Sequence, residues 1–198
     1  MRIVVLVSGT GSNLQAVIDT IAAGHLAVEI AAVGADRPGT LGIERSSAAG
    51  LETFVVSFKD FENRSDWDAA LLAAVSYYEP DYVVSSGFMR IVAPGFIDAF
   101  PGRYINTHPA LLPSFPGAHA VRDALAYGVK VSGCTVHFAD AGMDTGPIIA
   151  QTAVAVEDGD TEETLHERIK VAERELLIKV LARLAQDQSM ERRINSRG

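Results

Sequence analysis

The sequence is poor in cysteine, in basic residues and in long apolar segments. Its 198 residues contain one cysteine, Cys134, which excludes an intrachain disulfide and a cysteine zinc cluster and predicts a cytoplasmic protein. Acidic residues outnumber basic ones, and the net charge of −8 disfavours a nucleic-acid partner. No run approaches the ~18 apolar residues of a membrane span, so we expect no membrane partner.

Three common catalytic motifs are also missing. The sequence has no G-x-S-x-G of a hydrolase, no G-x-x-x-x-G-K-[ST] of a nucleotide triphosphatase and no H-E-x-x-H of a zinc protease. A metal site therefore has no support in the sequence, and function must be sought in other patterns.

Short β-branched runs alternate along the chain with patterns typical of amphipathic helices. Hydrophobic residues make up 48% and charged residues 21%, which is ordinary for one globular domain. The runs predict strands over residues 2–7, 28–35, 53–58, 81–88, 104–108, 131–140 and 147–156. The helical patterns start near residue 12, cover 42–49, open at Ser65, cover 118–127 and run from Asp160 to Leu184.

This alternation predicts an α/β fold with a Rossmann-like, mostly parallel twisted sheet and helices on both faces. The last two predicted strands have no full helix between them, so we expect the sheet to become mixed toward the C-terminal part. Ligands of such sheets bind beyond the carboxyl ends of the strands. The segments expected to carry function are therefore 8–13, 34–37, 86–92, 106–117 and 138–147.

The first of these segments is the glycine-rich turn SGTGSN at residues 8–13. Glycines allow a tight turn, and the free N–H groups of a helix capped by Ser12 or Asn13 attract an anion. The turn also resembles half of a dinucleotide fingerprint, although Leu14 replaces the third glycine, and Asp36 is a candidate for the acid that binds a ribose. A phosphate site, a dinucleotide site and a plain turn all stay open on these residues.

Asn106 and His108 stand two residues apart at the predicted end of a strand, so both side chains face the same side. An amide can donate a hydrogen bond to a developing oxyanion, and a histidine can take up and release a proton near neutral pH. Pro109 and Pro113 end the strand directly afterwards. We expect a catalytic pair here, and the competing interpretation is a histidine bonded to nearby backbone.

The loop at 140–147 carries two glycines and two carboxylates between predicted strands. Asp144 would orient His108 and stabilise its charged form if folding brings them together, or else close a turn on its own backbone. Cys134 and His137 lie on opposite faces of one strand, which argues against a Cys–His pair. The remaining histidines are expected at the surface or at a helix start: His25, His119 and His166.

Five motifs recur together in a fixed order: SGTGSN at 8–13, GFMRIVAPGF at 87–96, NTHPALLP at 106–113, FPGAH at 115–119 and DTGP at 144–147. Together they resemble the folate-dependent phosphoribosylglycinamide formyltransferases, over residues 1 to about 185. The asparagine–histidine–LLP segment with a downstream D-x-G is typical of folate formyl-transferring domains. The resemblance implies transfer of a formyl group from the co-substrate 10-formyltetrahydrofolate to the amine of glycinamide ribonucleotide, in de novo purine biosynthesis.

The resemblance also implies roles for named residues. Asn106 and His108 would stabilise a tetrahedral oxyanion, His108 would move a proton toward the leaving folate nitrogen, and Asp144 would orient His108. Glycinamide ribonucleotide would bind Gly11, Ser12, Asn13, Lys170 and Glu173. The folate would bind Arg64, Met89, Arg90, Ile91, Val92, Asn106, Asp140, Ala141, Gly142, Met143 and Asp144. The resemblance assigns no metal.

The implied domain runs from 1 to 185, with a phosphate-binding half to about 100 and a folate-binding, catalytic half after it. Residues 186–198 show no apolar period and are expected to form a mobile tail. A methionyl-tRNA formyltransferase or a formyltetrahydrofolate hydrolase would carry a further domain, for which the length leaves no room. A dinucleotide-binding oxidoreductase and a non-catalytic nucleotide-binding module stay open as alternatives. The expected partners are the two small molecules, bound by a monomer or a homodimer.

Overall fold

The computed structural model describes residues 1–195, with side chains up to Glu191, and these residues are organised around one seven-stranded sheet. The strands are β1 (Arg2–Val7), β2 (Glu29–Ala35), β3 (Thr53–Val55), β4 (Tyr82–Ser85), β5 (Tyr104–His108), β6 (Val131–Phe138) and β7 (Ile148–Ala155). The helices are α1 (Ser12–Ala22), α2 (Leu41–Ala48), α3 (Arg64–Ser76), α4 (Pro94–Ala99), α5 (Ala120–Tyr127) and α6 (Glu162–Asn195). None of these helices is long and apolar enough to cross a membrane.

The sheet has the strand order β3-β2-β1-β4-β5-β6-β7. Strands β1 to β5 run parallel, whereas β6 is antiparallel to β5 and β7 is antiparallel to β6. The predicted α/β fold, mostly parallel and mixed toward the C-terminal part, is therefore confirmed. Because β1 and β4 are neighbours, the turn after β1 and the segment after β4 leave the sheet side by side.

Helices cover both faces because the side chains of β1 alternate between them. Ile3 and Val5 pack in a cluster with α1 and α6, whereas Val4 and Leu6 pack on the opposite face with α3 and α4. On that opposite face lies Trp67, the one tryptophan of the sequence, which is fully buried. Its indole N–H donates to the carbonyl oxygen of Val56 at 2.8 Å, so the buried polar group is satisfied.

The last helix completes the core of the first strand. Leu177 and Leu181 of α6 belong to the same cluster as Ile3 and Val5 of β1. A second stripe of α6 packs on β5 and β6 through Leu165, Ile169, Leu176, Val180 and Leu184. One helix thus joins both halves of the sheet.

Strands β3 and β4 are at least three residues shorter than predicted, β2, β6 and β7 are one or two residues shorter, and one helix was not predicted. Strand β3 ends at Val55, because its partner β2 ends at Ala35 and the ladder has nothing further to pair with. Strand β4 ends at Ser85, because Gly87 takes a left-handed φ of 70° and turns the chain away from the sheet. The short α4 begins at Pro94, a residue whose fixed φ suits a first helical position.

Helix starts also differ from the prediction. At α3 the cap is Asn63, which accepts from the Asp66 N–H at 3.0 Å, so a start at Ser65 was wrong. Helix α6 was expected to begin at Asp160 but begins at Glu162. The Thr161 hydroxyl accepts from the Thr164 N–H at 3.2 Å, and the Asp160 carboxylate binds Arg168.

The predicted tail is helical as far as Asn195, since 186–195 contains good helix formers and neither glycine nor proline. Residues 196–198 of that tail lie outside the described residues. The mobility expected for this segment and the domain boundary at 185 stay predictions.

Candidate active site

A cavity of about 630 Å³ opens at the carboxyl ends of β1, β4 and β5. Its wall contains the turn at 8–13, the segment at 85–92 and the start of the loop after β5. The 140–144 loop and three α6 residues, His166, Lys170 and Glu173, close the remaining sides. This is the edge of the sheet at which the functional segments were expected from the sequence.

The turn after β1 depends on Gly11. Its φ of 65° is left-handed, and a Cβ there would lie 2.8 Å from the Cα of Gly42. Gly11 is the N-cap of α1 and has no side chain, so the predicted cap by Ser12 or Asn13 was wrong. Within residues 1–195 the buried Oδ1 of Asn13 has no hydrogen-bond partner. The uncapped first turn and this polar atom suit a small ligand with anionic and hydroxyl groups.

Three of the predicted site residues meet at the other end of the cavity. Asn106 and His108 lie on one face of β5, as their spacing predicted, and Asp144 reaches both from the loop between β6 and β7. The Oδ2 atom of Asp144 lies 3.3 Å from Nδ1 of His108, and its Oδ1 atom accepts from the Asn106 amide at 3.4 Å. The Gly117 N–H donates to Oδ2 at 2.8 Å. The carboxylate is therefore fixed on both oxygens.

His108 faces two acceptors. Its Nδ1 lies against Asp144, and its Nε2 lies 2.8 Å from the carbonyl oxygen of Phe115. Both ring nitrogens of His108 therefore have an oxygen acceptor within reach.

His137 is a member of this cluster that the sequence did not reveal. It is 1% exposed, stands opposite Asn106 in the β5–β6 ladder, and places Nε2 3.6 Å from Oδ1 of Asp144. The interaction with His137 is the main reason why the pKa of Asp144 is lowered; burial opposes this, and the Gly117 N–H and the charge of His108 add to it. Asp144 is therefore a carboxylate at neutral pH. The pairing of His137 with Asn106 depends on the register of an antiparallel ladder, which periodicity does not give.

The residues expected to bind folate form the outer wall of the cavity. All of them line it except Arg64 and Ala141. Met89, Ile91 and Met143 are more than half exposed and give the rim an apolar character. Arg64 instead donates to Asp68 and to the carbonyl oxygen of Ile91, so it reaches the 89–92 segment from outside the cavity. A direct contact of Arg64 with folate stays a prediction.

The α6 side of the cavity is polar. Glu173 is 6% exposed, and Lys170 binds Glu167 at 2.6 Å on the same helix. His166 also lines the cavity and is partly buried, so its expected surface position was wrong. Burial and the neighbouring charge of Lys170 lower its pKa. His119 is exposed at the start of α5, as expected.

Comparisons with known proteins agree with this arrangement. Residues 1–181 match the family described as formyl transferase. The chain is 56% identical to the phosphoribosylglycinamide formyltransferase of Mycobacterium tuberculosis (strain H37Rv) over 184 residues, which cover 93% of this chain and 85% of that protein. It is 40% identical to the enzyme of that name from Escherichia coli (strain K12) over 173 residues, which cover 87% of this chain and 82% of that protein.

The structural comparison gives the same answer. The crystal structure of glycinamide ribonucleotide transformylase 1 from Symbiobacterium toebii superimposes with a TM-score of 0.91 at 43% identity, covering 94% of this chain and 88% of that chain. The matched range of the family includes the turn at 8–13, the Asn106–His108–Asp144 cluster and the three α6 residues at the cavity. The resemblance inferred from five short motifs is confirmed, and the chain belongs to the phosphoribosylglycinamide formyltransferases.

Proposed function

We propose that this chain transfers the formyl group of 10-formyltetrahydrofolate to the amine of glycinamide ribonucleotide, a step of de novo purine biosynthesis. Family membership supports the reaction. One observation supports the proposal at the level of residues. Asn106, His108 and Asp144 meet at one end of a cavity, and the glycine-rich turn forms the other end.

The chemistry follows from the donors in this cluster. The substrate amine attacks the formyl carbon, and the carbonyl oxygen becomes an oxyanion that Asn106 and charged His108 stabilise. The C–N bond to the folate then breaks as charged His108 gives its proton to the leaving nitrogen, and the neutral ring takes up the proton lost by the amine. Asp144 keeps the ring oriented and its positive charge compensated.

Both ligands are anions, although the chain is acidic, so local groups must hold them. The phosphate of glycinamide ribonucleotide would bind the N–H groups of Gly11, Ser12 and Asn13, with Lys170 and Glu173 near the rest of that substrate. The folate would lie along 89–92 and 140–144, with its ring system against the apolar rim. Arg64 is placed to support this wall rather than to line it.

The remaining parts of the proposal concern the setting of the enzyme. We infer a cytoplasmic enzyme that acts as a monomer or homodimer, uses no metal and binds no nucleic acid. The single cysteine and the net charge of −8 support the compartment and the lack of a polynucleotide partner.

A formyl-transfer assay with both substrates tests the proposed function. Folate absorbance should change only when glycinamide ribonucleotide is present, in proportion to the formylated product found by mass spectrometry. Turnover without the acceptor would instead identify a formyltetrahydrofolate hydrolase. Tight, saturable binding of NADPH, with no transfer, would favour the oxidoreductase that the glycine-rich turn left open.

A further inference from the structure

A second buried carboxylate, Asp36, lies next to the cavity but outside the catalytic cluster. It follows β2 directly, and its side chain has no exposed surface. Its Oδ2 atom receives two guanidinium groups, from Nη2 of Arg37 at 3.0 Å and from Nε of Arg90 at 2.9 Å. One buried oxygen thus binds two guanidinium groups, and both Arg37 and Arg90 line the cavity.

Arg90 has a second contact as well. Its guanidinium carbon lies 4.8 Å from the centre of the Phe58 ring, a cation–π contact. The Phe58 backbone N–H donates to the Asp36 carbonyl oxygen at 3.4 Å, so ring and carboxylate belong to one local unit. Arg90 is therefore held by contacts with both Asp36 and Phe58.

The residue before Arg90 is held by Ser8. The backbone N–H of Met89 donates to Oγ of Ser8 at 2.9 Å. Burial raises the pKa of Asp36, but the hydrogen bonds from Arg37, Arg90 and Ser8 outweigh burial and hold that pKa below its ordinary value. Asp36 is ionised at neutral pH and fully engaged, which leaves it no oxygen for the ribose of a dinucleotide.

We propose that Asp36 is a positioning residue for the folate, because it fixes the cavity wall at 89–92 through Arg90. The inference rests on the proposed function, in which that wall contacts the folate. Without the carboxylate, the guanidinium groups of Arg37 and Arg90 would face each other and repel. The wall would then no longer be held in one place.

The test is a comparison of Asp36→Ala and Asp36→Asn with the unaltered enzyme. For Asp36→Ala we expect the KM for the formyl-donating folate and the calorimetric Kd for tetrahydrofolate to rise about tenfold, the effect of losing one charge-assisted hydrogen bond. The KM for glycinamide ribonucleotide should change less than about twofold and kcat less than about threefold, since the catalytic cluster is untouched. Asp36→Asn should lie between, because its amide oxygen still accepts from one arginine, and it decides the question if Asp36→Ala does not fold.

A double-mutant cycle tests whether Asp36 acts through Arg90. In an Arg90→Ala background, Asp36→Ala should add little to the folate KM, whereas additive losses would overturn the proposal. Asp160→Asn is the matched control, because Asp160 also binds an arginine, Arg168, but lies outside the cavity lining. It should leave both KM values unchanged.

Equal rises of both KM values in the Asp36 variants, or a fall confined to kcat, would overturn the positioning role. An unaltered protein that binds tetrahydrofolate but transfers no formyl group would instead refute the proposed function, while the comparison of tetrahydrofolate Kd values would still decide the role of Asp36.

Discussion

Oδ2 of Asp144 and Nδ1 of His108 lie 3.3 Å apart, although one residue is on a loop and the other ends a central strand. Strand β6 ends beside the start of β5, where Phe138 pairs with Ile105, and the loop that follows places Asp144 against the side chains of Asn106 and His108. Asp144 holds this position with a left-handed φ of 55° and with a hydrogen bond from the Gly117 N–H. This cluster is thus built by contacts between distant segments and not by nearness in sequence.

Removing either partner should abolish most of the activity. We expect His108→Ala and Asp144→Ala each to lower kcat by about 10²–10⁴, the usual worth of a proton-transfer group and its orienting acid. The thermal midpoint should change little, because both side chains border a cavity. Steady-state formyl transfer and thermal melts check this, with Asp123→Ala on the exposed side of α5 as the control. Near-normal kcat in either variant would refute the assigned roles.

A negative charge in the turn after β1 should act on one substrate only. Ser12→Asp places a carboxylate where the phosphate of glycinamide ribonucleotide is expected, so the KM for that substrate should rise at least about tenfold through charge repulsion. The KM for the formyl-donating folate should stay within about twofold. Ser12→Ala separates loss of the hydroxyl from gain of the charge. Equal rises for both substrates would place the phosphate elsewhere.

The two glycines of this turn should differ in their tolerance of a side chain. Gly11→Ala forces a left-handed φ on alanine, which costs about 1–2 kcal/mol, and adds a contact at 2.8 Å with the Gly42 backbone. Gly9→Ala meets nothing within 4 Å. Urea unfolding should therefore show a loss of at least about 1–2 kcal/mol for Gly11→Ala and almost none for Gly9→Ala. Similar losses for both would mean that the turn is not constrained at Gly11.

Acid should remove the stabilisation supplied by Asp160. The hydrogen bond from Arg168 is the main cause that lowers the pKa of Asp160 to about 2, although burial opposes it. A carboxyl whose pKa is depressed on folding stabilises the protein above its unfolded pKa, and this contribution is lost as the pH falls toward the folded value. The difference in unfolding midpoint between the unaltered protein and Asp160→Asn should therefore be constant above pH 3.8 and shrink as the pH falls toward about 2. A difference that is independent of pH over this window would contradict the assignment.

Hydrophobic periodicity predicted most accurately the elements whose burial is most regular. The continuous apolar run of β1 and the polar end of β5 were predicted within a residue or two, and the shared orientation of Asn106 and His108 followed from their spacing. Strand β3 was predicted too long because the β-branched Val56 beyond its last paired residue looks the same in sequence, and β4 because the turn at Gly87 was not recognised. The helix at 186–195 has no apolar period to reveal it, only residues of high helix propensity.

The site was predicted from its motifs, and what escaped prediction depends on contacts between distant segments. His137 joins Asp144 because of the strand register, and Asp36 joins Arg90 because β2 and β4 both end at the cavity. Neither pairing can be predicted from the spacing of residues along the sequence. Asp36 was considered only as an acid for a ribose, a role that its buried and fully bonded carboxylate excludes.

The packing of α6 on β1 has a consequence for how the protein is made. Ile3 and Val5 leave the ribosome long before Leu177 and Leu181, the leucines that cover them. A nascent chain therefore exposes an apolar strand until α6 has been synthesised, a surface that chaperones recognise and that unfinished chains would use to associate. Native folding of this domain must end after translation of α6, so chains truncated or stalled before that helix should be insoluble and not partially active.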